Sequence, residues 1–408
     1  MCKKALIGLC CIALLAGLMP VVVTADSDTT DLQKQINELR RKLENLEKKL
    51  EESRNTQDAN APTVTAASKG SKVKIDGRIF VGTFASGAQG QYPNRSTDIS
   101  DAKLRFTFFP AKNITIVNRL NTTGAKAVDF DYFYADFART VGASNTLRLG
   151  QRKIDVGQET WVDNPIENML ITNSVSHVSG YGIGLATVGR FKGPDSPLYE
   201  LGFVNGPKGV TVRPSTGLPI NVKIGTPFAK NLFVSASYFN SGSLGGTDSS
   251  AIGVAEVSTA PTGAAKWQRS LWELDFRYNY GQSGIRSTIP TGTLPPLMLG
   301  ATYGRFFDDA TGAPDRNGSY WFGESLVRLN PKLYAAARYS VTDLSTGTLA
   351  KLGKSPVAVN SYKRTSIGLG YVLTELVQLK MEYTINNTSG GASDPSLNQW
   401  AAGVAAKF

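Results

Sequence analysis

The sequence predicts an all-β fold, an antiparallel transmembrane barrel of about sixteen strands, preceded by a short α-helical coiled coil. Three observations carry that expectation. From Lys72 onward apolar and polar residues alternate with a period of two, the repeat of a strand whose two faces meet different surroundings. After Ala25 no uninterrupted apolar stretch approaches the roughly 20 residues that a spanning helix needs, so a membrane-crossing chain of this kind must close its strands into a barrel. Short turns and longer polar loops also alternate along the chain, as they do in a barrel with two unlike rims.

At the start, Met1-Cys2-Lys3-Lys4 precedes the apolar stretch Ala5 to Val23, and Val23-Thr24-Ala25 before Asp26 fits a small-residue cleavage site. Residues 1–25 therefore read as a signal peptide, and the remainder as an exported chain. Pro20, near the end of the apolar run, argues against a retained helical anchor. Cys10 and Cys11 follow Leu9 and Cys10 rather than the small residue of a lipoprotein site. All three cysteines, Cys2, Cys10 and Cys11, lie in this segment, which removes disulfide and thiolate-metal chemistry from the mature chain.

In residues 26–53, Leu32, Ile36, Leu39, Leu43, Leu46 and Leu50 are spaced 4, 3, 4, 3, 4, an a/d heptad seam that no Gly or Pro interrupts. With Ile36, Leu43 and Leu50 at a, Lys42 falls at g and Glu47 at the following e, where parallel neighbours pair them. Lys42-Leu43-Glu44-Asn45-Leu46-Glu47 looks like the Arg-h-x-x-h-Glu pattern of trimeric coiled coils with Lys in place of Arg, which leaves trimer against dimer open. An isolated amphipathic helix is the competing reading, but such helices are marginal in water. Residues 54–70 are small, polar and without period, and read as a linker.

The barrel occupies residues 71–408. Val73, Ile75, Gly77, Ile79 and Val81 alternate with Lys72, Lys74, Asp76 and Arg78, and Leu104, Phe106 and Phe108 with Lys103, Arg105 and Thr107. Trp272, Leu274, Phe276, Tyr278 and Tyr280 oppose Arg269, Glu273, Asp275, Arg277 and Asn279. Leu379, Met381, Tyr383 and Ile385 oppose Lys380, Glu382 and Thr384, and the chain stops on Phe408, in step with Trp400, Ala402, Val404 and Ala406. Short turns are expected at 109–113, 226–231, 329–333 and 373–376. Long loops are expected at 85–100, 153–179, 205–217, 241–266, 307–318, 344–360 and 387–397. An even strand number brings both ends to the short-turn rim. Residues 281–296 break the alternation, and a miscounted hairpin there is an open alternative.

The chain carries a formal +11, of which residues 70–408 hold +10. Such an excess suits nucleic acid, anionic lipid or anionic solutes, and export disfavours the first. The third long loop contains Asp155, Glu159, Trp161, Asp163 and Glu167, together with the single histidine, His177. With Leu147 and Leu149 turned to lipid, Arg148, Gly150 and Arg152 face the lumen. Arg78, Lys103, Arg105 and Arg119 join them from neighbouring strands, and Lys153 follows at the root of the loop. The competing reading pairs these cations with Asp76, Asp101, Asp129 and Asp131 as a merely solvated wall.

The Leu149-Gly150-Gln151-Arg152-Lys153 segment, the Asp131-Tyr132-Phe133-Tyr134-Ala135-Asp136 strand before it and the basic lumen resemble the phosphate-selective porin O and P family. The resemblance runs loosely over residues 71–408. It implies a homotrimer of barrels in the outer membrane of a Gram-negative-type bacterium, with no cofactor. Small anions such as phosphate would pass along a basic ladder of Arg78, Lys103, Arg105, Arg119, Arg148, Arg152 and Lys153. The eyelet would lie at the third loop, with Asp155, Glu159, Trp161, Asp163 and Glu167. Two departures stand out: the loop carries four carboxylates, and no complete phosphate-binding constellation matches residue by residue. The coiled coil suits exported porins that carry a periplasmic stalk.

An enzyme is not expected. His177 has Ser174 and Ser176 nearby but no Gly-x-Ser-x-Gly elbow, and it lacks a second His or any Cys with which to hold a metal. Gly180, Gly182 and Gly184 recur with period two and read as strand glycines that allow close approach. Two alternatives stand beside the anion channel. One is a non-selective porin whose lumen charges are paired. The other is a structural or adhesive anchor whose coiled coil touches peptidoglycan or a partner.

Overall fold

The computed structural model describes residues 72–87, 92, 95–123, 129–138, 145–191, 196–207, 219–229, 231–255, 257–280, 295–346, 360–389 and 398–408. The chain divides into two units at Ala61 and Pro62, and the described residues belong to the second. The expected signal peptide, the linker and the coiled-coil seam from Leu32 to Leu50 lie outside the described residues.

The strands, in order, are β1 (Lys72–Ser86), β2 (Ser96–Ala111), β3 (Ile114–Asn121), β4 (Asp129–Ala138), β5 (Asn145–Lys153), β6 (Val178–Arg190), β7 (Leu198–Pro207), β8 (Ile220–Ala229) and β9 (Leu232–Asn240). After the short β10 (Leu244–Gly245) and β11 (Ile252–Val254) come β12 (Lys266–Asn279), β13 (Leu297–Thr311), β14 (Arg316–Arg328), β15 (Leu333–Thr346), β16 (Ser361–Thr374), β17 (Val377–Ser389) and β18 (Gln399–Lys407). Sixteen long strands form the wall: each pairs antiparallel with its neighbours, β9 pairs with β12, and β18 returns to β1. Closure satisfies every wall edge, which is what hydrocarbon demands of a sheet.

The wall is inside-out relative to a water-soluble protein. On β12 the inward Arg269, Glu273, Asp275, Arg277 and Asn279 are buried, while the outward Leu274 and Phe276 are exposed. On β17 Lys380, Glu382, Thr384, Asn386 and Thr388 are buried, and Leu379, Met381, Tyr383 and Ile385 are exposed. An apolar belt outside and a polar lining inside are the two faces that the sequence period requires.

The ring closes at the chain end. Gly77 N–H donates to Phe408 O at 3.1 Å and Phe408 N–H donates to Gly77 O at 3.1 Å, which draws the terminal ring over Gly77. A Cβ at residue 77 would overlap that ring and stand 2.8 Å from the Lys103 carbonyl oxygen. Gly77→Val is therefore expected to cost about 1–3 kcal/mol through overpacking at the seam. The check is the temperature at which the folded barrel converts to the unfolded band in detergent gels, and an unchanged conversion temperature would contradict the seating of Phe408.

One connection left open by the sequence is settled, and one expected loop is corrected. β12 and β13 pair directly through Asn279↔Met298, so the long connection after β12 hides no hairpin in the wall. The loop expected at 307–318 is mostly strand: β13 runs to Thr311 and β14 starts at Arg316. The polar composition there misled, because the buried Asp308 accepts from Arg269 Nε at 2.7 Å and from Arg316 Nε at 2.7 Å as part of the wall lining.

Candidate functional site

The third loop, residues 154–177, folds into the barrel and is fastened there by the wall. Near its start, Lys223 Nζ donates to Asp155 Oδ1 and to Gly157 O at 2.6 Å each. Gly157 N–H donates to Ser237 Oγ at 3.1 Å, and Gln158 N–H donates to Asp275 Oδ1 at 3.1 Å. Further along, Glu382 accepts from Ile171 N–H at 2.6 Å, from Thr172 N–H at 2.8 Å and from Thr172 Oγ1 at 2.6 Å. Lys380 donates to the Pro165 and Asn168 carbonyls, Arg338 to Asn168 Oδ1 and Thr172 O, and Arg364 to Asn173 O. Met169 and Leu170 pack with Leu326 and Tyr334, and Ile166 and Ile171 with Phe80, Ala401 and Ala405. Charged wall groups thus satisfy backbone groups along the loop.

A second loop also folds inward, which the sequence reading missed. Within 241–265, β11 pairs with β6 through Ile252↔Gly180 and Val254↔Val178. A Cβ on Gly180 would overlap the Ala251 carbonyl, so the glycine permits this docking. Arg269 Nη1 donates to Ile252 O at 2.9 Å and to Val257 O at 2.6 Å, and Arg316 Nη2 donates to Thr259 O at 2.6 Å. Beneath lies an apolar cluster that includes Ile154, Val178, Phe239, Ile252 and Phe306. The signal was present in Ile252-Gly253-Val254, an apolar strip in a polar loop, and in Trp267 and Leu271, apolar residues on the otherwise polar face of β12.

Open space lies between the third loop and the wall strands β1 to β5. A central chamber of about 330 Å³ is lined by seven cations, Arg78, Lys103, Arg105, Arg119, Arg148, Lys153 and Lys407, against three carboxylates, Asp76, Asp163 and Glu167. A chamber of about 360 Å³ toward the long loops shares Arg78, Lys103 and Asp163 with it. A chamber of about 440 Å³ toward the short turns shares Arg148, Lys153, Thr160 and Trp161. The shared linings place the three chambers next to one another along the lumen.

Each cation expected from the sequence has a carboxylate neighbour. Arg78 Nε lies 2.6 Å from Asp101 Oδ2, and Lys103 Nζ 3.5 Å from Asp131 Oδ2, which also pairs with Arg119. Arg105 grips Asp76 with Nε and Nη2 at 2.7 and 2.8 Å, and Arg148 grips Asp136 at 2.7 and 2.9 Å. A register shift in the β3–β4 pairing, from Arg119↔Tyr132 to Leu120↔Phe130, leaves Asp131 bulged, so that it reaches the lumen beside Tyr132. The Arg119 guanidinium lies 4.1 Å from the Tyr132 ring centroid, and Arg148 lies 4.3 Å from that of Tyr134. Such bracing takes one edge of each fork and fixes the direction of the remaining donors.

The site residues sort into two groups. Arg78, Lys103, Arg105, Arg119, Arg148 and Lys153 line the passage as expected, and Arg105 is the most open, with 43% of its side chain exposed. Arg152 does not: it is 0% exposed and donates to Glu200 Oε1 at 2.5 Å and Asn221 Oδ1 at 2.8 Å, because loop and wall cover the face that strand parity turned inward. In the loop, Trp161, Asp163 and Glu167 border the central chamber. Asp155 instead pairs with Lys223 beside the turn-side chamber, and the buried Glu159 accepts from Ser174 N–H at 2.7 Å and Ser174 Oγ at 2.5 Å. Ser176 Oγ donates to Ser174 Oγ at 3.0 Å, so these hydroxyls are turned to one another and to Glu159 rather than to His177. Arg364, Lys407 and the anchors Lys223, Arg338, Lys380 and Glu382 were not singled out as site residues from the sequence.

Burial works to raise Asp163, but Lys153 in contact, with His177 and Arg78 nearby, holds its carboxyl below the ordinary Asp range. Its charge is therefore complete above that range and is lost only as the pH falls through the lowered value. Asp163→Asn is expected to raise the anion-to-cation permeability ratio at neutral pH. The difference from the unaltered channel should persist down to the ordinary Asp value of about 3.9, and should vanish only in stronger acid. Reversal potentials across a pH series check this, and equal ratios at neutral pH would contradict it.

No family model matches the sequence, and no curated protein matches it. Solved structures do. The outer membrane channel DcaP of Acinetobacter baumannii superposes with a TM-score of 0.58 at 12% identity, over 84% of this chain and 99% of that one. An anion-selective porin from Comamonas acidovorans gives 0.55 at 11% identity, over 83% of this chain and 100% of that one. OmpT, an outer membrane protein of Vibrio cholerae, gives 0.55 at 11% identity, over 85% and 100%. At this identity the likeness is one of fold, and the fold is that of the outer-membrane porin barrel.

Proposed function

We propose that this chain is a passive, water-filled channel of the outer membrane that favours small anions, phosphate among them, and catalyses no reaction. The observation that carries the reading is the lining of the central chamber, seven cations against three carboxylates, with Asp101, Asp131 and Asp136 behind four of those cations. In a narrow, partly desolvated lumen that imbalance raises the local anion concentration and offers hydrogen-bond donors at successive steps. The guanidinium forks suit phosphate-like oxygens, in keeping with the resemblance to phosphate-selective porins. Three copies, joined through the periplasmic seam of Leu32, Ile36, Leu39, Leu43, Leu46 and Leu50, complete the proposed assembly.

The carboxylate beside every expected cation favours a second reading, a channel without ionic preference. Counting Asp101, Asp131 and Asp136 with the lining still leaves seven cations against six carboxylates, with Asp131 serving both Lys103 and Arg119, and that excess weighs against it. Planar-bilayer recordings in a potassium chloride gradient separate the two. A reversal potential on the chloride side, with current reduced by added phosphate, supports the anion channel. A potential near zero supports the unselective one, and a potential on the potassium side overturns the anion reading.

A further inference from the structure

The turn-side chamber is not lined like a conduit for small inorganic ions alone. Trp161, Val188 and Leu198 are among its apolar lining, and Arg148, Lys153 and Arg190 stand in the same lining with Asp155 and Glu200, whose charges are met by Lys223 and Arg152. Trp161 lies where the passage leaves the central chamber, because it borders both spaces. Its ring is held: Lys223 Nζ sits 3.8 Å from the ring centroid and the Phe233 ring 5.7 Å away. Lys223 is in turn fixed by Asp155 and the Gly157 carbonyl. A preplaced aromatic surface loses little freedom when a solute lies against it.

Resting on the anion-channel reading, we propose that this chamber is a solute subsite for organic anions with an apolar body, and that Trp161 determines that preference. The carboxylate of such a solute meets Arg148 and Lys153 while its body leaves water against Trp161, Val188 and Leu198. A volume of about 440 Å³ lies within the range of small-molecule sites, about 300–1,000 Å³. An anion of equal charge without an apolar body gains only the electrostatic part, because the apolar wall offers it no hydrogen bonds.

The test uses the full-length channel in planar bilayers, with chloride current recorded while benzoate or acetate is added. Benzoate is expected to half-block at about tenfold lower concentration than acetate, equivalent to about 1.4 kcal/mol. Trp161→Ala should bring the two half-block concentrations together, and Trp161→Phe should keep most of the difference. Val188→Thr, nearly isosteric on a wall strand, should narrow it and provides the test should Trp161→Ala fail to fold. Equal half-block by benzoate and acetate in the unaltered channel overturns the proposal, as does a difference that survives Trp161→Ala. The reversal potential in chloride alone reads the anion preference separately, so an unselective channel that still distinguishes benzoate from acetate would keep the subsite and lose only the wider reading.

Discussion

Replacing Glu382 by alanine is expected to free the third loop and raise single-channel conductance several-fold. The Glu382 carboxylate is the acceptor for two backbone N–H groups and one hydroxyl of Ile171 and Thr172, at 2.6 to 2.8 Å. Each buried donor left without a partner costs about 1–3 kcal/mol. The neighbouring Lys380 and Arg338 also lose a countercharge, and breaking such a buried charge network by removing one partner costs about 3–5 kcal/mol. Losses of that size on one face of a loop are best relieved by letting it swing out of the barrel, which widens the space it now fills. Glu382→Gln keeps the acceptor shape and should lie between the two. Conductance and current noise in single-channel traces provide the measurement. If Glu382→Ala conducts as the unaltered channel does, the network is not what positions the loop.

The double charge reversal Arg105→Glu with Arg148→Glu is expected to move the reversal potential to the cation side. It turns a central lining of seven cations and three carboxylates into five of each. It also sets Asp76 and Asp136, each now gripped by one of these forks, against new like charges. In a wet lumen a charge at about 4 Å contributes on the order of 1 kcal/mol, so two reversals change the anion-to-cation permeability ratio by about tenfold or more. Reversal potentials at low salt should show the effect most clearly, because screening weakens it as salt rises. A double variant that stays anion-preferring would place the selectivity elsewhere in the lumen.

Some of this was legible residue by residue. The alternation through β12 and β17 gave the lipid and lumen faces of those strands correctly. Of the expected carboxylate partners Asp76, Asp101, Asp129 and Asp131, the first two and the last meet Arg105, Arg78 and the Lys103–Arg119 pair, although Asp131 arrives through a bulge that simple parity does not anticipate. Arg148, Arg152 and Lys153 meet Asp136, Glu200 and Asp163 instead. Parity also turned Arg152 inward but could not tell that loop and wall would bury it. The polar stretch around Asp308 read as a loop because a buried ion-pair lining and a solvated loop use the same residues.

The sequence by itself determined the wall of this protein: which faces are greasy, which are wet, and that sixteen or so strands must close. Alternation is a local property, set by each strand's own backbone and legible over a few residues. Only the tertiary structure decided the passage. It brought Glu382 to Ile171 across 211 residues of sequence, laid the third loop on the far wall and left the cation strip of β1 to β5 facing the open side. Partners so distant in the chain leave no periodic trace, so the path through the barrel becomes visible only when the barrel has closed around its loops.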